Sequence, residues 1–155
     1  MKKGLILLPL FLLVCSAHAQ NGNLFLSFKG GYGVRKIAFM GFSFDYSTKY
    51  NSQNEIFADF QSDNENNYHT VLAGFGIKPI LVRSANSAIR LLFGGSIGSD
   101  FERFIAAPHA GFELSQTLKT RIDLFIGNKN QVLLWVPRSK RWRFIAFGGV
   151  RFPLN

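Results

Sequence analysis

Cysteine is nearly missing from this chain: its one example, Cys15, falls within the first nineteen residues, which excludes a disulfide framework. Histidine is also scarce. Beyond His18 there are only His69 and His109, too few to form a metal ligand set without cysteine. No apolar run reaches the roughly 20 residues of a membrane-spanning helix, and no stretch sustains a 3.6-residue apolar period. Acidic residues are outnumbered 9 to 18 by Lys and Arg. Glycine is plentiful at 15, but it sits in "GGYG", "AGFG", "FGGSIG" and "FGGV" with no following helix, so a phosphate loop is excluded. The expected role of these glycines is to let a narrow, curved sheet close.

Lys2 and Lys3 precede the apolar run "GLILLPLFLLV" and the small-residue segment "SAHA". That pattern is a secretory signal peptide, expected over residues 1–19 with cleavage after Ala19. Cys15 as a lipid-bearing cysteine is the alternative, disfavoured because Val14 precedes it. The mature chain, residues 20–155, then forms a single domain without cysteine. Removing Lys2 and Lys3 leaves 16 basic against 9 acidic residues, a net charge of +7. Outside the inner membrane such a surface meets anionic headgroups or lipopolysaccharide phosphates more readily than nucleic acid.

Alternating apolar and polar residues recur between clusters of Asn, Ser, Asp and Gly, so the chain reads as all-β. Strands are expected near 23–33, 37–48, 54–61, 68–79, 87–98, 103–114 and 141–153. The segment "TRIDLFIGNKNQVLLW" is one long strand or two strands turning at "GNKN". Leu118, Thr120, Ile122, Leu124, Ile126, Val132, Leu134 and Val136 are all even, so the phase runs through Asn128 and Asn130 without a slip. One strand gives eight in total; two would give nine. Bacterial outer-membrane barrels favour even numbers.

The two faces differ in kind. One phase collects Leu24, Leu26, Phe28; Ala38, Met40, Phe42, Phe44, Tyr46; Ile56, Ala58, Phe60; Val71, Ala73, Phe75, Ile77; Ile89, Leu91, Phe93, Ile97; Phe104, Ala106, Ala110, Phe112, Leu114; and the even residues of the last two strands. None is charged. The opposite phase carries Lys29, Asp45, Glu55, Asp59, Lys78, Arg90, Glu113, Arg121, Asp123, Arg143 and Arg151. A charge facing lipid at the midplane costs about 2–4 kcal/mol, so a charge-free face on every strand is what a membrane barrel requires. Strands of about 9–11 residues and the aromatics Tyr32, Tyr46, Trp142 and Phe152 near strand ends point the same way. The fold expected is an antiparallel up-and-down membrane β-barrel of about eight strands. A soluble lipocalin-like barrel, with the apolar phase inside around a small ligand, explains the alternation equally well.

Within the lumen phase, Asp45, Asp59, Arg90, Glu113, Arg121, Asp123 and Arg143 are the candidate ionic network. His109 and Glu113 share that phase but lie four strand residues, roughly 13 Å, apart. They cannot bond directly, and no catalytic set is expected. The densest charge is "RSKRWR", where Arg138, Lys140 and Arg141 flank Trp142. A basic–aromatic mixture can bind single-stranded nucleic acid, yet a barrel rim with Trp142 at the interface and cations on lipopolysaccharide fits the context better. With both termini in the periplasm, that turn and "VRK" at 34–36 face outward. The turns "STKYNSQ" at 47–53 and "VRSAN" at 82–86 face the periplasm, making Tyr50 and Arg83 the candidate partner contacts. No cofactor or metal is expected.

The C-terminal half, "AGFELSQTLKTRIDLFIGNKNQVLLW" followed by "FGGVRFPLN", resembles the TraO family of conjugative-transposon transfer proteins from Bacteroides-type bacteria, and the "FGGSIGSDFE" hairpin fits it too. Family members are longer and begin the mature chain with a Gln-, Pro- and Gly-rich segment, whereas "QNGNLFLSF" enters a strand at once. The resemblance implies an outer-membrane, non-catalytic structural part of a type IV secretion-like DNA-transfer complex, with other envelope transfer proteins as partners. It carries over no catalytic or binding residue. An envelope-stabilising or ligand-binding outer-membrane protein is the alternative.

Overall fold

A computed structural model describes residues 24–34, 36–48, 52–63, 68–119, 121–137 and 141–154. The expected signal segment lies outside the described residues. Nine strand segments follow one another: β1 (Leu24–Gly33), β2 (Ile37–Ser47), β3 (Gln53–Asp63), β4 (Tyr68–Lys78), β5 (Ile80–Arg83), β6 (Ser87–Ser99), β7 (Phe104–Thr117), β8 (Asp123–Val132) and β9 (Trp142–Pro153). Each pairs antiparallel with its sequence neighbour except β4 and β5, which both pair with β6, and β9 pairs with β1 to close the sheet.

The ninth segment is not a ninth stave. β4 pairs with β6 as far as Ile77↔Phe93, and β5 resumes on the same neighbour at Ile80↔Arg90. Only Pro79 separates them; it has no N–H to give, but its carbonyl accepts from Leu91 N at 3.0 Å. A register shift between Ile80 and Val82 adds a bulge beyond it. Together β4 and β5 make one long stave, so the barrel has eight. The expected fourth strand therefore continues past residue 79, and the turn read at 82–86 narrows to Ser84–Asn86. The "GNKN" alternative fails as well: β8 runs through Asn128 and Asn130 in unbroken register with β9.

Barrel dimensions follow from register. Stepping across paired residues from Leu24 through Tyr46, Asn54, Ile77, Phe93, Ala110, Asn130 and Phe144 returns to β1 at Val34, whose N–H bonds Phe144 O at 3.0 Å. The sheet thus closes ten residues up its own first strand. With strands about 4.8 Å apart and a rise of about 3.3 Å per residue, that shear tilts eight strands by roughly 41°. Eleven residues of β2 then rise about 27 Å along the axis, close to the roughly 30 Å of a hydrocarbon core.

Burial decides which face is which. Phe28, Met40, Phe42, Phe75, Ile97 and Phe112 are exposed, whereas Asp45, Glu55, Lys78, Glu113 and Arg151 are at most 1% exposed. The arrangement in which the apolar phase encloses a ligand is therefore excluded. Close packing inside needs residues without side chains: a Cβ on Gly41 would stand 2.4 Å from Asp59 Oδ1, and one on Gly149 2.5 Å from the Phe125 ring.

Two parts of the phase expectation fail, both at connections. Arg121 adopts a left-handed φ of 63° in the β7–β8 turn and is exposed, outside the lumen. Trp135, also at φ 63°, breaks the alternation after Leu134, so Val136 turns into the barrel instead of away from it. Alternation is a property of extended backbone, and a single left-handed residue ends it.

Candidate functional site: a stratified lumen with one open mouth

The end of the barrel holding Leu24 and Leu154 is called near, the other far. Inward side chains form layers between them. In the near half, four carboxylates meet four cations. Lys78 Nζ lies 2.7 Å from Asp45, 3.3 Å from Glu55 and 3.3 Å from Glu113. Arg151 spreads its guanidinium over Glu113 at 2.8 Å, Asp45 at 3.3 Å and Asp123 at 3.5 Å. Lys29 pairs with Glu55, and Arg90 reaches Glu113 at 3.7 Å while donating to Ser115. Ser27 and Ser43 donate to Asp45, and Thr117 donates to Asp123. Charges this deep persist only when paired and hydrogen-bonded.

Above this cluster comes an aromatic layer of Phe39, Phe125 and Phe147 with Leu92 and Ile145. The Lys129–Asp59 pair (2.5 Å) crosses it, with the Lys129 ammonium 4.0 Å from the Phe57 ring centroid. His109 packs edge-on against Phe57 at 5.3 Å. Further up, Arg143 donates to Gln61 at 2.5 Å and Thr70 at 3.3 Å; Gln61 donates to Gln131 at 2.8 Å, and Gln131 to Ser96 at 3.2 Å. Leu72, Ile105, Ala107, Leu133 and Val136, with Tyr68 against them, form an apolar lid at the far end.

Six of the seven residues expected in the lumen network are buried there: Asp45, Asp59, Arg90, Glu113, Asp123 and Arg143. They form no single network. Asp59 belongs to a separate pair, Arg143 to the amide chain, and Arg121 to the rim. The sequence phase did contain Lys29, Glu55, Lys78 and Arg151, but which carboxylate each cation meets depends on the shear; Arg151 and Ser27 are 124 positions apart. Tyr50, Arg138 and Lys140 lie outside the described residues. Arg141 is half-buried at the far rim, and Arg83 is exposed at the near one.

Outside, every outward position of β1–β4 and β6–β9 is free of Asp, Glu, Lys and Arg. Asn128 and Asn130 are the polar exceptions well inside a strand, and Asn128 Oδ1 accepts from Phe112 N at 3.2 Å. Exposed aromatics gather at the far end, where Phe104 and Trp135 pack at 5.8 Å beside Trp142, Tyr32 and Phe101. Phe152 and Leu154 are exposed at the near end.

The mouths differ. The far one is capped by Leu133 and Val136. The near one opens into a polar cavity of about 280 Å³ bordered by Arg83, Ser84, Arg90, Ser115, Arg121 and Asp123, among others. Among the described residues no group of His, Cys, Asp and Glu is arranged to hold a metal ion.

No family model matches the sequence, and no curated protein is similar enough to count as a relative. A solved structure described as "De novo design of transmembrane beta-barrels" shares the fold: it covers 87% of this chain and 98% of its own, with a TM-score of 0.59 at 11% sequence identity. The chain is therefore similar to a transmembrane barrel in architecture: a closed antiparallel eight-stranded β-barrel.

Proposed function

We propose that this protein is an outer-membrane β-barrel with no catalytic activity, acting as a membrane-fixed structural element. One observation carries the reading: the outer face of β1–β4 and β6–β9 is charge-free all the way round, while among the described residues twelve charged side chains, six of each sign, are buried inside. In water such a surface would expose far more contiguous apolar area than a soluble monomer tolerates. In lipid it costs nothing, and a charge placed there would. The buried charges fill the lumen, so the barrel serves as an anchor for its rims and not as a conduit for macromolecules.

The finer role rests on the resemblance of the C-terminal half to TraO proteins: a structural component of a conjugal DNA-transfer apparatus, in contact with other envelope transfer proteins through its near rim. Arg83 sits on that rim; Arg141, half-buried at the far one, is the residue proposed to meet lipopolysaccharide. Fractionation tests the first level. The mature protein should sediment with outer membranes, resist carbonate extraction and migrate differently on gels before and after boiling; recovery in the soluble periplasm rejects it. Deletion tests the second. Conjugation frequency should fall sharply with donor DNA nicking intact, and transfer at the parental frequency leaves the envelope-stabilising role in its place.

A further inference from the structure

The lumen's described charges balance, six cations against six anions, so the chain's net charge of +9 resides elsewhere. At the near rim Arg83, Lys119 and Arg121 are exposed. The near connections 48–52, 84–86 and 118–122 contain no acidic residue at all. This ring surrounds the open cavity, whose volume of about 280 Å³ equals roughly nine waters at their liquid density.

The chemistry of the lining is that of an oxyanion receptor. Arg83 at the end of β5 and Arg121 in the β7–β8 turn border the entrance, while Arg90 stands in the wall, 7% exposed, with its Nε lacking any hydrogen-bond partner. Ser47 and Ser84 contribute hydroxyls, while those of Ser87 and Thr117 donate to Gln116 and Asp123. The one carboxylate in the lining, Asp123, is already engaged by Thr117 at 2.7 Å and Arg151 at 3.5 Å. Guanidinium forks with hydroxyl donors match a tetrahedral phosphate better than a point-charge ammonium does.

We infer that the near mouth is a binding site for a phosphate-type oxyanion, held by Arg83 and Arg121 with Arg90 as the floor. The site stands on the geometry of the mouth; only its lipid source depends on the membrane placement proposed above. Both a soluble phosphate and the phosphate of a lipid headgroup at the rim present this chemistry.

The test uses the full mature protein, isotope-labelled and folded in a phosphate-free maltoside detergent. Inorganic phosphate should shift the amide signals of Ser84–Ser87 and of the β7–β8 turn saturably. The double variant Arg83→Gln/Arg121→Gln should weaken binding at least about tenfold, while Arg103→Gln on the far rim binds as the parent does. Both changed side chains are exposed, and Arg83→Lys/Arg121→Lys, which keeps the charge but not the guanidinium fork, should recover only part of the affinity. Native mass spectrometry from micelles doped with phosphatidylglycerol separates the sources. A lipid adduct lost in the double variant assigns the headgroup; phosphate binding without that adduct assigns a soluble ligand. Absence of both adduct and saturable shifts, or equal binding by the parent and the double Gln variant, overturns the site.

Discussion

The two halves of one lumen are filled by different means. Near the termini, Asp45, Glu55, Glu113 and Asp123 are threaded between Lys29, Lys78, Arg90 and Arg151. Toward the far end Arg143 leans on a chain of neutral groups, Gln61, Thr70, Gln131 and Ser96, beneath an apolar lid, with Asp63 the buried carboxylate of that end. In the near half Lys78 and Arg151 each bridge three carboxylates, so losing one member strands others in a place water scarcely reaches. In the far half most interactions are between neutral partners, and their loss costs an ordinary hydrogen bond or a small cavity. Cooperative cost should therefore concentrate at the near end.

The largest effect is expected there. Glu113→Gln leaves Arg151 and Lys78 short of a carboxylate and should destabilise the folded barrel by about 3–5 kcal/mol in urea titrations from lipid vesicles. Arg151→Met should cost about as much, and the double variant less than the sum, since each single change strands the other partner. Additive losses would mean the cluster is not coupled. On the wall, Phe42→Arg places a charge at mid-strand and should cost about 2–4 kcal/mol and hinder assembly; an unaffected variant would show that the position does not face lipid.

Smaller losses are expected at the far end. Leu133→Ala opens a void in the lid and should cost about 2–3 kcal/mol. Arg143→Met, which removes bonds to two neutral acceptors, should cost about 1–2 kcal/mol. An Arg143 variant as damaging as the Glu113 variant would erase the distinction between the halves. The smallest effect concerns Asp100 in the β6–β7 loop. Burial there pushes its carboxyl up slightly, but hydrogen bonds from Tyr68 Oη and from the backbone N–H groups of Arg103 and Glu102 outweigh this and hold it below its ordinary value. A carboxyl lowered on folding contributes stability above its unfolded-state value and loses it as pH falls through the folded-state one. The parent's small advantage over Asp100→Asn should thus be present at neutral pH and vanish in acid.

How much of this was legible in the sequence divides along the same line between local and global. The phase of each strand is a local property, and it was readable even through Asn128 and Asn130. The eight-stave count was readable too, although a proline and a bulge break the fourth stave in two. Partnerships within the lumen were not readable, because they are fixed by a shear of ten residues that appears only when β9 meets β1. Nor were the positions where the backbone leaves the strand: Trp135 and Arg121 carry no Gly or Asn signature for a left-handed φ, so extrapolated alternation sent Val136 out and Arg121 in.

The central claim is that the apolar phase faces lipid, and site-directed spin labelling measures it directly. Residues 20–155 contain no cysteine, so in that segment, folded and reconstituted in vesicles, Phe42→Cys and Phe93→Cys each offer a single attachment point, with Arg83→Cys at the rim as reference. Power saturation should find the labels at 42 and 93 readily relaxed by oxygen and shielded from a water-soluble nickel chelate, and the label at 83 the reverse. Labels at 42 and 93 as accessible to nickel as the one at 83 would contradict the account.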